Sequence, residues 1–331
     1  MNMFDELEKR ESAAPFERLA RKALAAYGME EAKLDLLAHQ EHAIFRVSDP
    51  VGGQRTSSYA LRVYPRGWDG SQILRALLWQ TALQREAHVG CPEPILTRSG
   101  NLVQSLSTPG VSGFRQVVVL SWVVGQSLVV TKWTADHACA AGRLIATLHD
   151  HAETFTLPDA LSPIRRTADT LEASLNPARL ARAHAPEEEA LFEDALNRVR
   201  QAMRFLGTAR DVAGLVHANL KPEHVLFSDD GACPLGFAHT RWSHYIYDLA
   251  TIDLQLRASE DAARLRHGLL EGYRSTRSTE DDATEHLDAF VLLRLLDELA
   301  AVPPPESGAV ARVRDHARRT VETIRQTLHA Q

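Results

Sequence analysis

Chemistry-bearing side chains crowd into one stretch of the chain, Gly214 to Ala250, which reads GLVHANLKPEHVLFSDDGACPLGFAHTRWSHYIYDLA. It places imidazoles at His217, His224, His239 and His244, an amide at Asn219 and an ammonium at Lys221. Imidazole is a common ligand of zinc and copper, so four of them make a transition-metal site one reading. The plainer reading is that each histidine is a satisfied hydrogen-bonding group. Asn219 accepts a hydrogen bond but holds no proton at neutral pH, and Gly236 offers no side chain at all. Asp229 and Asp230 read as turn residues, and Asp248, ahead of an apolar helical run, reads as a helix N-cap.

The elements that must position these groups are legible around them. Val225–Phe227 and Ala232–Leu235 are short apolar runs on either side of an Asp-Gly-containing turn, which is the pattern of a β-hairpin. A polar loop led by His217 precedes the hairpin, and a Tyr-Asp-Leu-Ala helix start follows it. This order resembles the catalytic segment of the aminoglycoside phosphotransferase and choline kinase-like family. The resemblance implies a kinase-like fold: α+β, two-lobed, with a small β-rich N-terminal lobe (1–122) and a large, mainly helical C-terminal lobe (123–331). The catalytic loop is then 215–226 and the hairpin 225–236.

In that family the loop reads His-Gly-Asp, with Asn after four further residues, and the strand after the hairpin ends in Asp. Here those positions hold His217, Ala218, Asn219, His224 and Gly236. Asn219 thus stands where the catalytic Asp would be, His217 where the family's His holds the loop, and His224 and Gly236 where the Mg²⁺ ligands would be. Phosphoryl transfer needs a carboxylate on the acceptor hydroxyl and hard oxygen ligands on the metal. General-base assistance is worth roughly 10²–10⁴ in rate, and neither metal position keeps an oxygen donor from a carboxylate. The reading is a pseudokinase that acts by binding a nucleotide, a small ligand or a protein partner in or near the interlobe cleft; Mg²⁺ is doubtful and ATP or another nucleotide is the cofactor to expect. The alternative is an active ATP-dependent phosphotransferase on a small hydroxylated or amino compound, with a relocated carboxylate such as Glu223 or Asp230. A third class is a scaffold that assembles through the last helices.

The resemblance extends to the N-terminal half. Residues 1–28 carry Phe16, Leu19, Ala20, Ala23, Leu24 and Tyr27 at helical spacing between Pro15 and Gly28. Leu36–Val47 and Ser57–Val63 read as strands joined by a turn at Asp49–Gly53. Tyr59-Ala60-Leu61-Arg62-Val63 resembles the strand whose basic residue reaches the phosphates, with Glu41 or bound phosphate as the partner of Arg62. The helix glutamate that would otherwise pair with Arg62 falls near Ala76, in a helix expected over Ser71–Ala87. Val117–Leu120 running into Ser121, Trp122 and Val123 resembles the hinge whose backbone holds adenine. Lys221 matches a protein-kinase lysine that approaches the transferring phosphate; a solvated loop lysine is the plainer reading.

Beyond these, helices are expected over Thr134–His151, Pro186–Phe205, Ser259–Arg274, Ser278–Ala301 and Ala309–His329, with an irregular stretch around Pro158, Pro163 and Pro177. Composition sets outer limits. The 331 residues are 44% hydrophobic and 24% charged, which is ordinary for a globular chain, and a net charge of −6 leaves no basic footprint for nucleic acid. No apolar run approaches the roughly 18 residues of a membrane span, and Met1–Arg10 does not read as a secretory leader. Cys91, Cys139 and Cys233 lack metal-ligand spacing. A cytoplasmic location is expected, and the Arg, Ala and Leu richness points to a bacterial source.

Overall fold

The computed structural model describes residues 13–39, 42–51, 55–277, 284–302 and 311–329. The chain forms two compact units, Met1–Val124 with Leu157–Ser162, and Gly125–Thr156 with Pro163–Gln331.

The first unit is a sheet with a helix on it. Helix α1 (Ala13–Leu24) buries Phe16, Leu19, Ala20, Ala23 and Leu24, the stripe that its spacing demands, and it ends through a short 3₁₀ turn at Gly28, φ 74°. Strands β1 (Lys33–His39), β2 (Ala43–Val51), β3 (Arg55–Val63), β4 (Gln104–Leu106) and β5 (Arg115–Ser121) form one antiparallel sheet in the order β1-β2-β3-β5-β4. Phe45, Val47, Leu61, Val63, Val117 and Val119 alternate onto the α1 face and make the core. The strand expected over Leu36–Val47 is therefore two strands, and Asp49 and Pro50, expected in a turn, lie in β2 opposite Ser57 and Thr56 of β3. β1 pairs no farther than Ser48, so Pro50 lies where β2 has a pairing neighbour, β3, on one side only, as at a sheet edge that tolerates proline. Helix α2 (Gly70–Glu86) starts at Asp69, whose carboxylate accepts from the Ser71 amide at 3.0 Å.

The second unit is mostly helical. It comprises β6 (Gln126–Ser127), α3 (Ala135–Thr154), α4 (Leu171–Ser174), α5 (Pro177–His184), α6 (Glu189–Leu206), β7 (Ala213–Val216), β8 (Val225–Ser228), β9 (Gly231–Pro234), β10 (Arg241–His244), α7 (Ile246–Leu256), α8 (Ala262–Thr276), α9 (Leu287–Ala301) and α10 (Ala311–His329). Pro177, expected in irregular chain, opens α5: the Asn176 side chain accepts from the Arg179 amide at 2.9 Å, and proline suits the first helical position because that N–H has no helical partner anyway. The expected helix over Ser278–Ala301 is described from residue 284, and the Pro303–Pro305 break lies outside the described residues.

Two small antiparallel pairings frame the stretch singled out by the sequence. Strand β7 pairs with β10, so the loop from His217 and the hairpin are an excursion between two strands that close on each other. Within it β8 pairs with β9 and with β6, and the Ser228–Gly231 pairing leaves Asp229 and Asp230 as a two-residue turn.

Candidate functional site

The loop after β7 is fixed from inside. Both oxygens of the Asp248 carboxylate accept loop amides, His217 N at 2.8 Å and Ala218 N at 2.7 Å. His149 of α3 donates Nε2–H to the same carboxylate at 3.2 Å, and its Nδ1 faces the Tyr273 hydroxyl of α8 at 3.0 Å. His149, His217 and Asp248 are wholly buried. Burial pushes the Asp248 carboxyl up, but the hydrogen bond and charge of His149 and the loop amides outweigh it and hold the group below the usual carboxylate range. Asp248 is therefore the loop's anchor rather than the helix N-cap expected from its place in the sequence: α7 starts at Ile246, and its capping residue Tyr245 makes no side-chain cap. His217 accepts from the Asn219 amide through Nδ1 at 3.3 Å, and burial pushes its pKa down to about 3, so it is a neutral strut.

The same anchoring bends the backbone. Ala218 sits at φ 61°, a left-handed conformation that costs a residue with a Cβ roughly 1–2 kcal/mol.

The structure brings Asn219, His224 and Gly236 together. The carbonyl of Asn219 accepts from His224 Nδ1 at 2.7 Å, which leaves Nε2 as the imidazole's basic nitrogen. The His224 carbonyl accepts from Leu235 N at 2.8 Å, and this bond carries the end of β9 to the loop. Gly236 follows at φ 84°, and a Cβ built on it would lie 3.3 Å from the His224 ring. The imidazole thus covers the side-chain position at Gly236. As a donor set the three residues offer one amide oxygen and one imidazole nitrogen, whereas Mg²⁺ asks for hard oxygen ligands, so they do not fit that ion. The four histidines do not form a transition-metal site either. Among the described residues no group of three or more His, Cys, Asp or Glu side chains is placed to hold a metal, and His244 Nε2 is engaged by the Gly207 carbonyl at 2.8 Å. Glu223, Asp229 and Asp230 are exposed, Glu223 beside the loop and the two aspartates at the hairpin tip.

Lys221 is directed at α9, where its ammonium lies 3.9 Å from Glu298. Glu298 also pairs with Arg294 at 3.0 Å. The neighbouring Asp297 accepts both arms of Arg166 at 2.7 and 2.5 Å, Arg241 at 2.8 Å and the Tyr247 hydroxyl at 2.7 Å. Burial pushes Asp297 up, but Arg166 and Arg241 outweigh it and hold the carboxyl far below its ordinary value. None of these α9 partners is singled out by motif. The available signal is the helix itself, LDAFVLLRLLDELAA, where Arg294, Asp297 and Glu298 interrupt an otherwise apolar stretch from Ala289 to Ala301.

The remaining candidates lie in the first unit. Arg62 stands in β3 opposite Ile44 and Val118 and is half-buried. Glu41, its expected partner, lies outside the described residues, and Ala76 is buried in α2. At the end of β5 the amides of Ser121 and Trp122 are already used, donating to Glu93 O at 2.7 Å and Ser58 O at 3.2 Å. The Val123 amide has no backbone partner among the described residues, so of the three it is the donor left for a ligand.

Comparison with known proteins places this arrangement. The chain is similar to a microcompartment-associated aminopropanol kinase structure (24% identity, TM-score 0.76, covering 94% of this chain and 97% of that one). It is similar to an amicoumacin kinase solved in complex with AMP-PNP, Ca²⁺ and Ami (17%, 0.73, 97% and 95%). A thermostable mutant of aminoglycoside phosphotransferase APH(4)-Ia, in ternary complex with ADP and hygromycin B, matches at 15% and 0.62, covering 94% and 99%. These likenesses show the kinase-like fold that the loop and hairpin imply. No curated protein matches the chain. The model of the phosphotransferase enzyme family (APH) matches residues 35–290, so the chain belongs to that family.

Proposed function

We propose that this protein is a nucleotide-binding member of the phosphotransferase family that no longer transfers the phosphoryl group. The observation that carries the reading is the meeting of Asn219, His224 and Gly236. At that point of the loop the imidazole, held by the Asn219 carbonyl, stands over a residue without a side chain, and none of the three residues carries a carboxylate. Nucleotide binding is supported separately, by the Val123 amide, which has no backbone partner among the described residues, and by the relatives solved with AMP-PNP or ADP. The relative solved with AMP-PNP also holds Ca²⁺. The donor set here argues that this chain takes its nucleotide without a divalent ion.

An active phosphotransferase is the second reading, and Glu298 gives it a specific basis, because this carboxylate is directed at loop residue Lys221 while Glu223 and Asp230 are exposed. Its pairing with Arg294 at 3.0 Å opposes a role as base, since the carboxylate is already engaged by a cation of its own helix. Thermal unfolding with ATP, alone and with excess Mg²⁺, is the test, run beside release of labelled phosphate. The expected result is a rise in Tm with ATP that Mg²⁺ does not enlarge and no turnover; a ligand at 100 times its Kd adds about 2.7 kcal/mol to stability. A rise that needs Mg²⁺, or measurable transfer to any acceptor, overturns the proposal.

A further inference from the structure

Strand β1 ends its sheet. In the order β1-β2-β3-β5-β4 it pairs with β2 on one side, and among the described residues no strand pairs with its other side. An open edge is a template for a further strand, and natural sheets blunt such edges with lysines and bulges. β1 carries both devices, Lys33 and a bulge between Leu36 and Ala38, yet it also exposes Leu36 and Leu37, at 42% and 52%. The lysine is not a lone charge. Asp35, two residues on and therefore on the same face of the strand, pairs with it at 2.8 Å, the two side chains being 72% and 44% exposed. An ion pair so exposed contributes little where it stands, so exchanging partners costs little.

We infer that the β1 edge is a self-association surface, and that its occupant is the β1 edge of a second copy of this chain, antiparallel to it about a two-fold axis. Such an axis must pass through a residue and its own symmetry mate, because a slip of one residue would set core-facing side chains against outward-facing ones. Charge then selects the register. Centring on Lys33 or on Asp35 sets that residue against its own like charge, and centring on Leu36 sets Asp35 against the partner's Leu37 and carries the ladder into the bulge. Centring on Leu34 sets Lys33 opposite the partner's Asp35 and Asp35 opposite the partner's Lys33, two favourable cross-strand pairs at once. The other face agrees. Leu34 and Leu36 lie opposite Val47 and Phe45 of β2, which are core residues, and the same register brings Leu34 onto its mate and Leu36 onto the partner's Ala32, also of the core. The apolar layer beneath α1 is thereby continued across the axis, and the bulge after Leu36 ends the ladder. So short a ladder makes a small interface, of the class that associates weakly and reversibly. The inference rests on this edge alone and does not depend on nucleotide binding.

Sedimentation equilibrium of the full chain, from low to high micromolar concentration, tests it. The expected result is a monomer–dimer equilibrium whose Kd rises roughly tenfold or more in Asp35→Lys, because both symmetry-related pairs turn repulsive together. Lys33→Asp is expected to act in the same direction, and the double variant that combines the two to return Kd to the wild-type value, since it only exchanges the charges within each pair. Both side chains are exposed, so neither change is expected to disturb the fold. Asp230→Lys, at the exposed hairpin tip, is the control and leaves Kd unchanged. A monomer at every concentration, a wild-type Kd in the two single variants, or a double variant as weak as the single ones overturns the inference.

Discussion

At the scale of single residues, one buried carboxylate fixes the backbone of the loop. Asp248 still receives two consecutive loop amides, and that pull is what drives Ala218 into left-handed backbone. A glycine at 218 would take this conformation without a Cβ penalty, while losing somewhat more backbone entropy on folding. Ala218→Gly is therefore expected to stabilise the protein by about 0.5–1 kcal/mol, read as a higher urea midpoint at unchanged m-value. A lower midpoint would show that the buried Ala218 methyl contributes more through packing than its conformation costs. Asn219, His224 and Gly236 are coupled through space. With His224 held on the Asn219 carbonyl and packed against Gly236, a carboxylate added at 236 meets both a left-handed φ and the imidazole.

At the scale of elements, the loop depends on how closely α3 and α8 approach. Gly142 and Gly272 set that approach: a Cβ on Gly142 would fall 2.1 Å from the Leu269 carbonyl, and one on Gly272 would fall 2.0 Å from the Cys139 carbonyl. Backbone sits on both sides of each contact, so neither clash can be relieved by a rotamer. The helices bring His149 and Tyr273 into the hydrogen-bonded line that ends on Asp248. Gly272→Ala is expected to cost about 3 kcal/mol, at the upper end of overpacking penalties, and to lower the protection of the His217 and Ala218 amides in hydrogen exchange. Loss of stability with those two amides unaffected would separate the helix packing from the loop.

At the scale of the whole molecule, buried imidazoles set the response to acid. Burial lowers the pKa of His149, His184, His217, His244 and His316, with His217 down to about 3. Above about pH 6.5 these groups are neutral in both folded and unfolded chains and contribute nothing to the pH dependence. Below it the unfolded chain takes up protons that the folded chain refuses, so stability falls as pH drops, each such histidine adding about 1.4 kcal/mol per pH unit. Asp248 and Asp297, held below the usual carboxylate range, extend the loss as pH falls past about 4. Urea midpoints measured from pH 7 to 4 are expected to decline steadily, and His217→Asn to remove about one proton from the slope between pH 6 and 4. An unchanged slope would mean that His217 is protonated in the folded loop.

What the sequence determined by itself is whatever repeats with a local period or rests on a named residue type. The α1 stripe from Phe16 to Leu24, the Asp229-Asp230 hairpin and the substitutions at 219, 224 and 236 are of this kind, because helical spacing, turn chemistry and the absence of a carboxylate are local properties. Tertiary structure alone decided the role of Asp248, which reads as a cap until residues 31 and 99 positions away deliver His217 N and His149 to its carboxylate. It alone placed Pro50 within a strand, since that depends on where β1 stops pairing. Arg294 and Glu298 form an i,i+4 pair within α9, but Asp297 meets Arg166 and Arg241 from distant elements, and no spacing rule links those. Charge pairing through space has no sequence period, so the cluster beside the loop becomes visible only when the helices and β10 have packed.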